Sequence, residues 1–256
     1  MDDGSRLLAQ RWAGHPVTDD RPAERSVALV TGAGGGLGRA IVARLASAGW
    51  RVAASCHRDG PFSADLAVPT QARSLIARVI KRYGRLDLVV ANHAAMAMGA
   101  VDEHAVEDWW RIVDTNLTGS FHLAQTGATH LRRAHGSIIF VSSEWGVTGW
   151  PRASAYASSK AGLIGLTRAL ARELAPEVRV NAIAPGIIDT DQLRVDAGAL
   201  GISLAEMKAR YAVIAPLRRI ASPEEVAASV AFLASPDAAF YTGQILHPNG
   251  GTTVGS

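Results

Sequence analysis

The chain has one cysteine, Cys56, in 256 residues, so it cannot build an internal disulfide framework and fits a reducing compartment, read here as cytoplasmic. It has no apolar run near the roughly 18 residues of a membrane span, because Asp87, Asn92 and His93 break the best stretch. No dense Lys/Arg block occurs. The pI of 9.3 corresponds to a formal charge of only +3, which argues against a nucleic-acid partner. Its 8 histidines are scattered without paired ligand spacing, so no metal is expected. The opening "MDDGSRLLAQRWAGHPVTDDRPAERS" begins with acids and lacks the apolar centre of a secretory leader, so residues 1–25 read as a loosely ordered extension. No internal repeat and no linker divides residues 26–256, which are expected to form one domain.

The composition, 48% hydrophobic and 19% charged, is that of a soluble globular protein. From Ser26 onward, apolar strands alternate with periodic helices. "SVALVT", "RVAAS", "LDLVVAN", "SIIFVSS", "VRVNAIAP" and "GQILHPNGG" read as strands. "GLGRAIVARLASAG", "PTQARSLIARVIKRYG", a long stretch from about Glu103 to Arg133, "SAYASSKAGLIGLTRALAREL" and "SPEEVAASVAFLAS" read as helices, the last with Ser222 as N-cap and Glu225 at N3. This alternation predicts an α/β fold, a single-domain, Rossmann-type, doubly wound parallel sheet with helices on both faces. Ligands in such sheets sit beyond the carboxyl ends of the strands, here "TGAGGGLG", "CHRDG", "ANHAA", "SSEWG" and "APGIIDT".

"TGAGGGLGRA" lies between a predicted strand and a predicted helix, the setting of a phosphate-binding turn. Glycines there let the backbone approach a pyrophosphate, and the helix N-terminus offers unpaired N–H groups. On its own, the run is also compatible with a tight connection. Tyr156 and Lys160 are four residues apart on a predicted helix, so a phenol and an ammonium share one face. Read alone, that pair is more often a solvated helix surface than chemistry.

The spacing Thr31-Gly32, Gly36, Gly38 resembles the TGxxxGxG turn of the short-chain dehydrogenase/reductase family. Tyr156 and Lys160 match that family's YxxxK pair, and Ser143, thirteen positions before Tyr156, falls where its catalytic serine stands. Asn116 in "DTNLTGSF" matches the active-site asparagine, and Pro185-Gly186 the PG motif. The likeness runs from Ser26 to Gly251. It implies a catalytic set of Asn116, Ser143, Tyr156 and Lys160 that interconverts a ketone and a secondary alcohol by hydride transfer, with Tyr156 as acid/base. Such chemistry needs a positioned proton donor, and a tyrosine near 10 needs help from Lys160 and the oxidised cofactor. The resemblance further implies that Lys160 holds the nicotinamide ribose, Ser143 donates to the substrate oxygen and Asn116 supports a water in the proton relay. It places Gly32, Gly36, Leu37, Gly38, His57, Arg58, Asp65, Leu66, Asn92, Pro185, Gly186, Ile188 and Thr190, with Tyr156 and Lys160, against the dinucleotide.

The chain departs from the family at "NHAA", which keeps Asn92 but has His93 and Ala95 in place of Asn and Gly. His93 reads as a packed, hydrogen-bonded residue, and Ser142 as strand-end structure. Ser143, Tyr156, Trp145 and Trp150 are the expected substrate contacts, the two tryptophans forming an aromatic wall. At the end of the second strand, where an NAD site carries an acid, stands Cys56 followed by His57 and Arg58, so NADP(H) is the expected cofactor with NAD(H) possible. Only eight residues separate Cys56 from Asp65, the family's adenine-contacting position, so the usual second crossover helix should be missing. "GIIDTDQLRVDAGALGISLAEMKARYAVIAPL" is the expected substrate loop. The partners expected are a small-molecule carbonyl or alcohol and further copies of the chain as a homo-oligomer, dimer or tetramer, with no membrane. A 3-oxoacyl thioester reductase, a sugar, alicyclic or aromatic alcohol dehydrogenase, and a cofactor-binding regulatory protein all stay open.

Overall fold

Val27 and Leu29 of β1 (Val27–Thr31) pack into one core while Ala28 and Val30 pack into another, and all four are fully buried. A strand apolar on both sides must be covered on both sides. The structure, a computed structural model, describes residues 26–58 and 60–253; the extension expected at residues 1–25 lies outside them. The other strands are β2 (Arg51–Ser55), β3 (Leu88–Ala91), β4 (Ser137–Val141), β5 (Arg179–Ile183) and β6 (Ile245–Leu246). They form one parallel sheet in the order β2-β1-β3-β4-β5-β6.

The helices of eight or more residues are α1 (Gly36–Ser47), α2 (Pro69–Tyr83), α3 (Val106–Val113), α4 (Gly119–Ala134), α5 (Ser154–Leu174), α6 (Gln192–Ala199), α7 (Leu204–Ala212) and α8 (Pro223–Ala234), and a single helical turn spans Trp145–Thr148. α2, α4 and α5 cover one face through residues such as Leu75, Leu123 and Leu163. α1 and α8 cover the other through Ile41, Leu45, Val226 and Val230. The chain leaves β1 for β2 on one side and returns to β3 on the other. That reversal opens a crevice beyond the carboxyl ends of β1 and β3.

Four local features differ from, or sharpen, the sequence reading. The helix expected from Glu103 to Arg133 starts at Val106 and is divided by a π turn, Asp114–Thr118, which carries Asn116 into the interior. The last strand shrinks to Ile245–Leu246, since Gly243 ahead of it takes φ +73° and Pro248 beyond it has no N–H for the ladder. The expected substrate loop holds two helices, α6 and α7, the second capped by Ser203 on Glu206 N–H. Among the described residues between β2 and α2 there is no helix or strand, as the short Cys56–Asp65 interval predicts. No helix of the described residues is long and apolar enough to cross a membrane, and no group of three or more His, Cys, Asp or Glu there is placed to hold a metal ion.

Candidate active site

The turn after β1 is held open by two glycines. Gly32 has φ +61°, and a Cβ on it would stand 2.9 Å from the backbone of His93; a Cβ on Gly38 would run into the carbonyl oxygen of Gly32. Asn92 pins the same turn, its Nδ2 donating to Thr31 O and Gly32 O at 3.1 Å each. α1 then follows its N-cap Gly35 with no side-chain cap and no acid in its first turn, so no side chain occupies its leading N–H groups at the edge of the crevice. The crevice has a volume of about 630 Å³. Its lining includes Gly32, Gly36, Leu37, Gly38, His57, Asn92, Ser143, Trp145, Tyr156, Lys160, Pro185, Gly186, Ile188 and Thr190. A narrow, glycine-floored groove that ends on unpaired amides fits an extended dinucleotide.

At its inner end, one helix and one strand end bring Tyr156, Lys160 and Ser143 together. Tyr156 and Lys160 project together from α5, with Lys160 Nζ 5.5 Å from the Tyr156 ring centroid. Lys160 is 1% exposed and donates to Val141 O at 2.7 Å, while Ser142 Oγ donates to Lys160 O at 2.8 Å and so locks strand to helix. Ser142 is therefore structural, and Ser143 is free to turn its hydroxyl toward Tyr156 and to accept from Trp145 N–H at 3.2 Å. Burial pulls the Lys160 ammonium down to about 7. Burial pushes the Tyr156 phenol above its ordinary value, and the hydrogen bond with Ser143 opposes that rise. A phenol so placed needs a neighbouring positive charge to give up its proton readily.

Asn116 is wholly buried in the π turn. Its Oδ1 accepts from Ala95 N–H at 2.7 Å, and its Nδ2 donates to Ala95 O and Ser159 Oγ at 3.0 Å each. The amide is committed to protein partners, so Asn116 positions the loop after β3 against α5. His93 is buried with Nδ1 2.7 Å from Thr31 Oγ1; burial first, and the charge of Lys160 second, lower its imidazole to about 3, so it is neutral.

Three residues assigned to the dinucleotide from sequence do not line the crevice. Asp65 accepts from Ala67 N–H through Oδ1, Leu66 is buried against Gly119, and Arg58 is exposed beyond the lining. Trp150 stacks on Trp145 with centroids 5.0 Å apart, and it lines a chamber beside the crevice. Sequence reasoning passed over Glu144, Ile187, Tyr211 and Asn249, which line that chamber too. Glu144 carried a signal, an acid wedged between Ser143 and a tryptophan; Asn249 read only as the end of a strand.

The family model described as enoyl-(acyl carrier protein) reductase matches residues 32–253. The chain is 33% identical over 252 residues to the 3-oxoacyl-[acyl-carrier-protein] reductase FabG of Thermotoga maritima, covering 90% of this chain and 99% of that protein. It is 34% identical to that of Escherichia coli, covering 89% and 97%. Among solved structures it is similar to the ligand-free aldohexose dehydrogenase of Thermoplasma acidophilum, with TM-score 0.87 and 33% identity over 91% of this chain and 96% of that one. It is also similar to ElxO with NADP bound, with TM-score 0.83 and 25% identity over 89% and 98%.

Proposed function

The chain belongs to the short-chain dehydrogenase/reductase family and is an oxidoreductase of it, and we propose that it interconverts a ketone and a secondary alcohol with Tyr156 as proton donor and acceptor. The observation that carries this reading is the joining of the Tyr156, Ser143 and Lys160 cluster to a glycine-floored dinucleotide groove. A nicotinamide held in this groove would supply or accept the hydride. Tyr156 Oη gives its proton to the substrate oxygen during reduction and takes it back during oxidation, while Ser143 Oγ donates to that oxygen and fixes its place. Lys160, when charged, favours the phenolate and offsets the rise that burial imposes on Tyr156. Trp145, edge-on to Tyr156 with centroids 5.9 Å apart, keeps water from one side of the phenol.

NADP(H) is the proposed cofactor, with NAD(H) as a weaker substitute. Cys56 and His57, not an acid, line the groove at the end of β2, and the similar structure ElxO holds NADP. Arg58, exposed next to them, is close enough in sequence to meet a 2′-phosphate. Comparing kcat/KM for NADPH and NADH on a common ketone tests this: a tenfold or larger preference for NADPH that shrinks in Arg58→Ala is expected, and equal values in both proteins overturn it.

A second reading, reduction of a 3-oxoacyl thioester, is favoured by the identity to the two reductases of that name; identity to an aldohexose dehydrogenase favours a hydroxylated substrate instead. The enzyme is proposed to work in the cytoplasm as a homodimer or homotetramer, with α8 at a subunit contact.

A further inference from the structure

Glu144 follows Ser143 just past β4 and is 6% exposed, a costly placement for a carboxyl group. Burial raises it above the ordinary carboxylate range, while a hydrogen bond from Thr252 and, after it, the charge of His247 oppose that rise. Thr252 Oγ1 donates to Glu144 Oε2 across 108 positions of sequence. A carboxyl group kept in the interior with so distant a partner fastens two parts of the chain that nothing local would join.

The second part is the turn His247–Thr252, which follows β6 and touches two further segments of the site. A Cβ on Gly186 would stand 2.8 Å from Glu144 Oε2 and 3.0 Å from Asn249 Cα, so the carboxyl group and the turn both close over the Gly186 backbone. Glu144 N–H donates to Pro185 O at 2.9 Å, and Gly186 N–H donates to Pro248 O at 3.3 Å. The turn also carries the end of the expected substrate loop: Leu217 N–H donates to Gly250 O at 3.1 Å, and a Cβ on Gly251 would stand 3.1 Å from Pro216 Cγ. Asn249 Oδ1 accepts from Gly251 N–H at 3.0 Å, and Thr252 Oγ1 lies 3.0 Å from Asn249 O, so the turn is braced within itself and moves as one piece.

Ile187, next to Gly186, lines both the crevice and the chamber beside it, and Leu217 lines the chamber. We propose that Glu144 is a positioning residue for the reaction: through Thr252 it clamps the turn His247–Thr252 onto Gly186, and the clamped turn holds the Ile187 and Leu217 walls in place beside Ser143 and Tyr156. The inference rests on the oxidoreductase reading of Tyr156. The clamp acts on the ketone side of the site, because the dinucleotide end is pinned separately, by Asn92 Nδ2 on Thr31 O and Gly32 O. In the low dielectric of the interior the Thr252 bond is stronger than the same pair in water, so its loss frees the turn.

The test measures kcat and KM for ethyl acetoacetate and acetoacetyl-CoA with NADPH, and NADPH affinity by fluorescence, in the wild type, Thr252→Val, Thr252→Ser, Glu144→Ala and the double variant Glu144→Ala/Thr252→Val. Thr252→Val removes the donor far from Ser143 in sequence. It is expected to raise the ketone KM about tenfold with NADPH affinity changed less than threefold, and Thr252→Ser, which keeps the hydroxyl, to restore the wild-type KM. The double variant should be no worse than Glu144→Ala, since either change alone opens the clamp. If Glu144→Ala does not fold, the valine and serine variants decide alone. A KM unmoved in Thr252→Val, a ketone KM and NADPH affinity weakened equally, or effects that multiply in the double variant overturn the clamp and leave the Tyr156 chemistry standing. Should neither ketone turn over in the wild type, the oxidoreductase reading is the one in question, and hydrogen exchange at the Gly186 and Leu217 amides decides the clamp. Exchange at least tenfold faster in Thr252→Val supports it; unchanged exchange overturns it.

Discussion

Lys160 and His93 are buried side chains whose protonation is tied to folding. The folded Lys160 releases its proton near 7 instead of 10.5, so between those values the unfolded chain carries one more proton, and stability rises with pH across that window. Lys160→Met should flatten this slope, which urea titrations at pH 7 and pH 9 will read. His93 is lowered from 6.5 to about 3, so stability present above 6.5 is lost as pH falls toward 3, and His93→Asn should blunt that acid loss in the same assay. At this scale, Tyr156, Lys160 and Ser143 were legible because their spacing is local and their helix strongly periodic. The Glu144 and Asn249 pair was not, since a strand end and a C-terminal turn 105 residues apart meet only after the sheet has formed.

Elements followed the alternation of apolar runs, and where they departed from it the cause is identifiable. The π turn at Asp114–Thr118 has no periodic signature, because its purpose is to place Asn116 against Ala95 on another element. α6 and α7 arise in a segment with few strong apolar repeats, and a small core of Leu193, Ala197 and Met207 holds them together. α8, by contrast, announced both its ends. Ser222 Oγ accepts from Glu225 N–H and the Glu225 carboxylate from Ser222 N–H, a reciprocal capping box. Ser222→Ala should cost about 1 kcal/mol of stability, measured by urea unfolding; a change near zero would mean that α8 is held by its packing on α1 alone.

For the whole molecule, the proposed homo-oligomer would cover apolar side chains that the single chain leaves in solvent. Phe240, just past α8, is fully exposed, and Trp110 and Val106 of α3 are more than half exposed. Light scattering at micromolar concentration should give a multiple of 26.9 kDa, and Phe240→Asp should move the reading toward that single-chain mass; a wild-type monomer would remove the oligomer from the account. The doubly wound sheet gives all these parts one working end, because the switch between β1 and β3 places the glycine turn and the α5 pair in the same crevice. The most direct test of that arrangement follows NADPH absorbance with a responsive ketone for the wild type and Tyr156→Phe, and measures NADPH affinity of both by fluorescence. Loss of about 10²- to 10⁴-fold in turnover with affinity changed less than threefold is the expected result. A phenylalanine variant that keeps more than a tenth of the wild-type rate would contradict Tyr156 as the proton donor.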